Sequence, residues 1–242
     1  MKTNNTVIII PSRLSAVRLP NKPLARIRGK PMILWVVEQA LKSGLSDVYV
    51  ACCDSELADL LEKNNYNYVM TDPDLPTGTD RVHAALEALD KDYDFIINLQ
   101  GDLPFISPEI ITATHKVLIS SDTDISTAAY LIKNHEENKL DNPNVVKAVL
   151  SYKNKALYFS RACRGPYGGG EVYEHIGIYG YTRDALCKFV KLEQTPIERY
   201  EKLEQLRAME NDMNIHVAIV DDVPISIDTE DDLRIARELL KI

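Results

Sequence analysis

The stretch that decides the fold is residues 7–31, VIIIPSRLSAVRLPNKPLARIRGKP. Four consecutive apolar residues, Val7 to Ile10, have the length and β-branched content of a buried strand, which the sequence predicts to stop at Pro11. A loop follows that carries Arg13, Arg18 and Lys22 and is stiffened by Pro20 and Pro23. Gly29-Lys30-Pro31 then leads into a segment with apolar residues at Ile33, Leu34, Val37 and Leu41, the spacing of one helix face, with Gly44 as the stop. A positive loop at the carboxyl end of a first parallel strand is where open α/β sheets receive ligands. Three cations there suggest a triphosphate.

The same alternation continues outward. Asp47–Cys52, Tyr66–Met70 and Phe95–Leu99 read as strands, and Ser55–Asn64, Thr79–Leu89 and Pro108–Leu118 as the helices between and after them. This order predicts an α/β fold with a parallel sheet. After Ser121 the pattern changes. Ile125–Leu131, Val145–Leu150, Ala156–Phe159 and His175–Tyr181 are closely spaced strand candidates, with a hairpin turn at Ser151–Lys155. Helices are expected near Arg183–Lys191, Pro196–Asn211 and Glu230–Leu240, and a strand at Ile215–Val220. The expectation is one domain over residues 1–242 with a β-rich insertion at about Asn134 to Tyr173.

Composition sets limits on partners. The 242 residues carry 28 basic and 36 acidic side chains, a formal charge of −8, which argues against nucleic-acid binding and makes the N-terminal cations a local device. The four cysteines, Cys52, Cys53, Cys163 and Cys187, show no metal-type spacing and predict no disulfide framework. No apolar run is long enough to span a bilayer, so a cytoplasmic enzyme is expected.

Several short segments carry candidate chemistry, each with a plainer reading beside it. In NLQGDLP (98–104), Gly101 permits a sharp turn and Asp102 sits at a strand end, as a turn residue or as an oxygen ligand for Mg²⁺. In PTGTDR (76–81), Thr79 is the expected N-cap, and the helix start also offers N–H groups to a base or phosphate. Asp228 in IDTEDDL (227–233) is a cap, with Thr229 as the alternative, or a second metal ligand if the sheet brings it near Asp102. HIGIYGY (175–181) alternates, placing His175, Gly177, Tyr179 and Tyr181 on one side and Ile176 and Ile178 on the other. Such a face suits a polyhydroxylated ligand or a half-exposed strand. Arg161 follows ALYFS and is a surface cation or a fork for a carboxylate. In the expected helix 196–211, Ile197, Tyr200, Leu203 and Leu206 form the buried stripe, with Glu204 and Gln205 beside it.

Taken in order, IPSRLSAVRLPNKPL, GKPM, PTGTDR, QGDLPF, ALYFSR, HIGIYGY, LEQLR and IDTEDDL resemble the 3-deoxy-manno-octulosonate cytidylyltransferase family (CMP-Kdo synthetases) from about Val7 to Leu240. The resemblance implies a Rossmann-like, three-layer nucleotidyltransferase fold. It also implies transfer of CMP from CTP to the anomeric 2-hydroxyl of 3-deoxy-D-manno-octulosonate (Kdo), with release of pyrophosphate, for lipopolysaccharide biosynthesis. On this resemblance Arg13, Arg18 and Lys22 hold the CTP phosphates, with Arg13 and Lys22 catalytic. Thr77, Gly78, Thr79, Arg81 and Gln100 line the cytidine side. Asp102 and Asp228 bind Mg²⁺ and are catalytic. Arg161, His175, Tyr179, Glu204 and Gln205 orient the sugar acid. A homodimer formed through the β-rich insertion is implied as well.

The sequence departs from the family pattern in four places: QGDLP for the more usual QGDEP, Cys52-Cys53-Asp54, the loop RACRGPYGGG, and a short approach from Pro224 to Asp228. The sugar acid is therefore open between Kdo and a variant such as its 8-amino analogue. A CMP-sialic acid synthetase, a nucleotide-sugar glycosyltransferase and a non-catalytic nucleotide-binding regulator are the competing readings.

Overall fold

A computed structural model describes residues 5–15, 18–45, 47–120, 122–166 and 169–239. Ala16 and Val17 of the phosphate loop, Tyr167 and Gly168 of the glycine-rich loop, and Leu240 of the last expected helix lie outside the described residues. The chain forms two compact units, residues 1–112 with 224–242, and residues 113–223.

The first unit is built on four parallel strands in the order β6-β1-β4-β5: β1 (Thr6–Pro11), β4 (Asp47–Cys52), β5 (Tyr68–Met70) and β6 (Phe95–Leu99). β1 is central, which is why residues 7–10 are uniformly apolar and fully buried. The strand runs one residue beyond the expected stop. Pro11 pairs with Ala51, and as the terminal strand residue it lacks only an N–H that the ladder's end can forgo. Helices α1 (Met32–Lys42), α2 (Ser55–Lys63) and α3 (Gly78–Glu87) alternate with the strands, and α4 (Pro108–Leu118) leads out of the unit. Gly44, at φ 73°, follows α1 as expected. Between the loop and α1 lies a small hairpin, β2 (Arg26–Ile27) and β3 (Lys30–Pro31), turned by Arg28 and Gly29, both at positive φ. The returning helix α9 (Glu230–Leu239) closes the unit. Leu233 and Ala236 pack with Leu19, Ile27, Met32 and Ile227 in one buried cluster. That cluster ties the phosphate loop, through Leu19, to the acidic segment, through Ile227.

The second unit holds a mixed sheet. β7 (Ile125–Leu131) pairs parallel with β11 (Ile215–Val220) and antiparallel with β10 (Tyr173–Thr182). β10 also pairs with β8 (Lys147–Leu150), which forms an antiparallel hairpin with β9 (Ala156–Ser160). The expected turn is present, with Ser151 N donating to Lys155 O at 2.8 Å. The stretch expected as an insertion lies inside this unit, which begins earlier and ends later than that expectation. It also contains the short helix α5 (Asn138–Asp141) and helix α6 (Arg183–Phe189).

One expected helix is two. Residues 196–211 form α7 (Pro196–Glu201) and α8 (Gln205–Glu210), broken at Lys202, which takes the left-handed conformation (φ 56°, ψ 47°). The break rotates the register, so the expected buried stripe is only half present. Leu203 and Leu206 are buried, whereas Ile197 is 39% and Tyr200 86% exposed. Glu198, Gln205 and Arg207 take interior positions instead.

Candidate active site

The phosphate loop begins by continuing the ladder, Ser12 N donating to Ala51 O at 2.8 Å. It is pinned where Leu14 N donates to Asp54 Oδ2 at 2.9 Å, and it closes where Asn21 N donates to Leu14 O at 3.1 Å. Asn21 is left-handed at φ 54°, and a 3₁₀ turn over Lys22–Leu24 follows, with Pro23 buried. These constraints aim Lys22 inward. Its ammonium lies 2.9 Å from Asp102 Oδ2 and 2.8 Å from Asp228 Oδ1, and Arg18 Nη2 reaches the same Asp228 oxygen at 3.2 Å. Burial alone would lower the Lys22 pKa. The Asp102 and Asp228 carboxylates outweigh it and lift the ammonium above the ordinary lysine range.

The two acidic segments are joined directly, Ile227 N donating to Asp102 O at 3.0 Å. The turn that presents Asp102 needs Gly101, because a Cβ there would stand 3.2 Å from Pro11 O. The helix start resolves the two readings of Asp228. Thr229 is the cap, accepting from Asp232 N at 3.2 Å, and Asp232 Oδ2 accepts from the backbone N–H of Asp228 and Thr229 at 3.0 and 2.8 Å. Asp232 thus satisfies the helix end and leaves the Asp228 carboxylate for Lys22 and Arg18.

The cap of α3 is a correction to the expectation. Thr77, not Thr79, accepts from Asp80 N, and Asp80 Oδ2 accepts from Thr77 N, a capping box. Thr79 is buried, its hydroxyl accepting from Asn98 Nδ2 at 3.4 Å. Asn98 Oδ1 in turn accepts from Gln100 Nε2 at 2.8 Å, which orients the Gln100 amide. Arg81 is buried, and its guanidinium donates to the Thr71 hydroxyl and to Asp72 O, so it fastens the 71–73 turn.

Two pockets open on this surface. One of about 120 Å³ is bounded by Thr77, Gly78 and Arg81, and one of about 150 Å³ by Lys22, Gly101 and Asp102. Both share Pro11, Ser12, Arg13 and Gln100, so they adjoin. Arg13 is exposed and makes no hydrogen bond or ion pair among the described residues. The Ser12 hydroxyl is buried without a hydrogen-bond partner among them. A buried hydroxyl, an uncommitted guanidinium and a lysine between two carboxylates form a set suited to an anion with a cation at its flank. Sequence reasoning did not single out Ser12 or Asn98. Both are small polar residues at the end of buried strands, and that is the one signal that could have found them.

The second unit gathers the other candidates. His175, Tyr179 and Tyr181 do lie along one side of β10, with ring centroids 5.5 and 6.3 Å apart, and Phe159 stacks edge-on to His175 at 5.0 Å. A register shift between Ile176 and Tyr179 accompanies the contact of Thr127, whose hydroxyl lies 2.9 Å from His175 Nε2 and donates to Ile178 O. Burial lowers the His175 pKa to about 4. Burial first, and the Glu204 charge second, push the Tyr179 phenol well above the ordinary tyrosine range. Tyr179 Oη donates to Gln205 Oε1 at 3.1 Å, and Gln205 Nε2 is buried with no partner among the described residues. Behind them Arg207 and Glu198 form a buried two-point pair at 2.9 and 2.6 Å, with the guanidinium over Phe189. Arg161 is held by backbone: Nε donates to Glu201 O and Nη1 to Pro143 O, both at 2.9 Å. Its Nη2 has no partner among the described residues, so the N–H groups of that nitrogen stay available.

Of the departures, Leu103 and Cys52 are buried and serve as packing groups, while Cys53 is partly exposed beside Asp54. All four cysteines are free.

Comparison with known proteins gives concordant findings. A family profile described as cytidylyltransferase matches residues 7–215. A 3-deoxy-manno-octulosonate cytidylyltransferase of Paramagnetospirillum magneticum is 48% identical, covering 97% of each chain. One of Parvibaculum lavamentivorans is 47% identical, covering 97% of this chain and 92% of the relative. Among solved structures, a CMP:2-keto-3-deoxy-manno-octonic acid synthetase complexed with CTP superposes with a TM-score of 0.91 at 34% identity over 98% of each chain. A 4-diphosphocytidyl-2C-methyl-D-erythritol synthase of Anaerococcus prevotii shares the fold, with a TM-score of 0.63 at 17% identity.

Proposed function

The chain belongs to the 3-deoxy-manno-octulosonate cytidylyltransferase family, and on that premise we propose that it activates Kdo with CTP at the site described above. CTP and Kdo give CMP-Kdo and pyrophosphate, for use in lipopolysaccharide biosynthesis. The observation that carries the site assignment is Lys22, placed between Asp102 and Asp228 beside a pocket that Arg13 and Gln100 share with the start of α3.

In this reading Arg13, Arg18 and Lys22 receive the phosphates and offset the charge that grows on the departing pyrophosphate. The Ser12 hydroxyl, buried at the same strand end, is an added donor for them. Cytosine lies against Thr77, Gly78 and Thr79, with the oriented Gln100 amide as its polar contact and Arg81 shaping the pocket wall. Asp102 and Asp228 fit a divalent cation, since both already direct an oxygen at one cationic centre. Bound there, Mg²⁺ would supply Lewis-acid activation of the sugar hydroxyl and of the phosphates. The sugar acid is oriented by the open Nη2 of Arg161, by His175 held neutral at physiological pH, and by Tyr179, Glu204 and the unpartnered Gln205 Nε2.

A homodimer through the β8–β9 hairpin is supported by its exposed apolar groups, Tyr152 at 91% and Leu157 at 56%. No helix among the described residues is long and apolar enough to cross a membrane, and a cytoplasmic site of action is proposed.

The test is pyrophosphate release with CTP and Mg²⁺ against Kdo, its 8-amino analogue and sialic acid, repeated with Asp102→Asn. Kdo-dependent release that the variant loses while keeping its Tm is expected. Release only with sialic acid would overturn the substrate, and full activity in Asp102→Asn would overturn the metal assignment.

A further inference from the structure

Lys147 is fully buried, yet no carboxylate pairs with its ammonium among the described residues. Its three N–H donors meet three backbone carbonyls instead: Asn142 O at 2.9 Å, Val145 O at 2.8 Å, and Arg161 O. The nearby acids are otherwise engaged. Asp141 pairs with Arg164, and Glu201 accepts from the Ser160 hydroxyl and from Arg161 N. A buried ammonium without a counter-ion is costly, and burial accordingly depresses the Lys147 pKa.

What those carbonyls share is Arg161. Lys147 holds the Arg161 carbonyl and both ends of the 142–145 loop, and that loop supplies Pro143 O to Arg161 Nη1. Glu201 completes the frame by accepting from Arg161 N with its carboxylate and from Arg161 Nε with its carbonyl. The lysine therefore acts on the guanidinium through its main chain and through the loop against which it rests. Because its hydrogen-bond partners are carbonyls, the ammonium meets the charges of Asp141, Glu201 and the Arg161 guanidinium only at longer range.

We propose that Lys147 is a positioning residue for the acidic sugar: it fixes Arg161 with Nη2 open and adds a positive charge behind it that no carboxylate pairs. The proposal rests on the reading of Arg161 as the holder of the substrate carboxylate. It predicts a selective effect on the anionic substrate, which a purely structural lysine would not have.

The experiment compares Lys147→Met, Lys147→Gln, Arg161→Ala and the double variant Lys147→Met/Arg161→Ala in steady-state kinetics, with Tm and CTP affinity measured alongside. Lys147→Met is expected to raise KM for the sugar acid about tenfold, with KM for CTP within about twofold of wild type. Lys147→Gln keeps a donor and removes the charge, so it tests the fold and the charge separately, and it should retain most of the KM defect. The double variant should lose less than the product of the single effects, because both residues act on one carboxylate. A non-reacting sugar acid should outcompete its own carboxamide by a smaller factor in either Lys147 variant than in wild type. A KM defect in Arg161→Ala with none in the Lys147 variants would overturn the proposal and leave the Arg161 reading standing. Unchanged sugar KM in every variant would overturn both. An equal fall in affinity for both substrates that tracks Tm would reduce Lys147 to a structural group and so refute the proposal.

Discussion

Lys22→Met is the perturbation that most directly tests the centre of the site. Met keeps a similar unbranched stem and removes the ammonium that stands 2.9 Å from Asp102 and 2.8 Å from Asp228. The lysine side chain is 15% exposed and the two carboxylates 25% and 36%, so the pairs are partly sheltered. A charge-assisted hydrogen bond contributes about 1.5–3 kcal/mol when buried, and solvent reduces that here, chiefly at Asp228. Losing both and leaving two like charges together should cost about 2–3 kcal/mol in all. A protein of this size loses about 2–4 °C in Tm per kcal/mol, so the expected fall is about 4–12 °C.

Catalysis should suffer separately. Removing one preorganised cation from a site where charge develops typically costs about 10²–10³ in kcat. The assay is thermal unfolding at neutral pH, with and without Mg²⁺, alongside pyrophosphate release at saturating substrates. Mg²⁺ should raise the Tm of the variant more than that of wild type, because a divalent ion can take up the charge balance at the same two carboxylates. A Tm within a degree of wild type would refute the account of Lys22 as the bridge between Asp102 and Asp228. A variant Tm indifferent to Mg²⁺ would refute the carboxylate pair as a cation site.

Two further outcomes are expected. His175 has a folded pKa of about 4 against an ordinary value of 6.5, so below pH 6.5 the unfolded chain binds a proton that the folded chain refuses. Its contribution to stability is therefore lost as pH falls from about 6.5 to 4, and His175→Gln should flatten that limb in a series of urea melts; an unchanged limb would place the acid sensitivity elsewhere. Asp232→Ala removes the group that satisfies the Asp228 and Thr229 N–H, and should cost about 1 kcal/mol with a larger proportional loss of activity as Asp228 turns to cap α9. Activity that falls no further than stability in that variant would show that Asp228 does not depend on Asp232 for its orientation.

How far the sequence reached can be argued from these same residues. The apolar runs 7–10, 47–52 and 95–99 announce central parallel strands because both of their faces are buried, and that burial leaves a compositional trace. The convergence on Lys22 leaves none, since its partners lie 80 and 206 residues along the chain. The break between α7 and α8 was illegible for a different reason. The left-handed turn falls on Lys202 rather than on a glycine or asparagine, so no local preference marks it. The displaced cap at α3 was legible and misread: Thr77 has an acid three residues on, at Asp80, whereas Thr79 is followed by Val82. Gln205 illustrates the cost of the missed break, because only the rotated register takes it into the interior beside Tyr179.

The capping boxes of α3 and α9 also explain how the site keeps its acids apart from those of the fold. Thr77 with Asp80 and Thr229 with Asp232 are the same device, a threonine cap and an aspartate three residues later. In each, the later aspartate is consumed by the helix start. For Asp232, burial opposes ionisation, but the Thr229 hydroxyl and the N–H groups of Asp228 and Thr229 outweigh it and hold the carboxyl below the usual range. At α9 the residue before the cap, Asp228, is then not needed by the helix start, and its carboxylate pairs with Lys22 and Arg18. Asp102 is released in a parallel way: its carbonyl accepts from Ile227, so its backbone is satisfied while its side chain turns to Lys22. Structural needs at both segments are met by neighbouring groups, and two carboxylates with two cations are left over at one point. A fold that capped its helix with Asp228 itself would satisfy the same helix end and would take one of the two carboxylates away from Lys22 and Arg18.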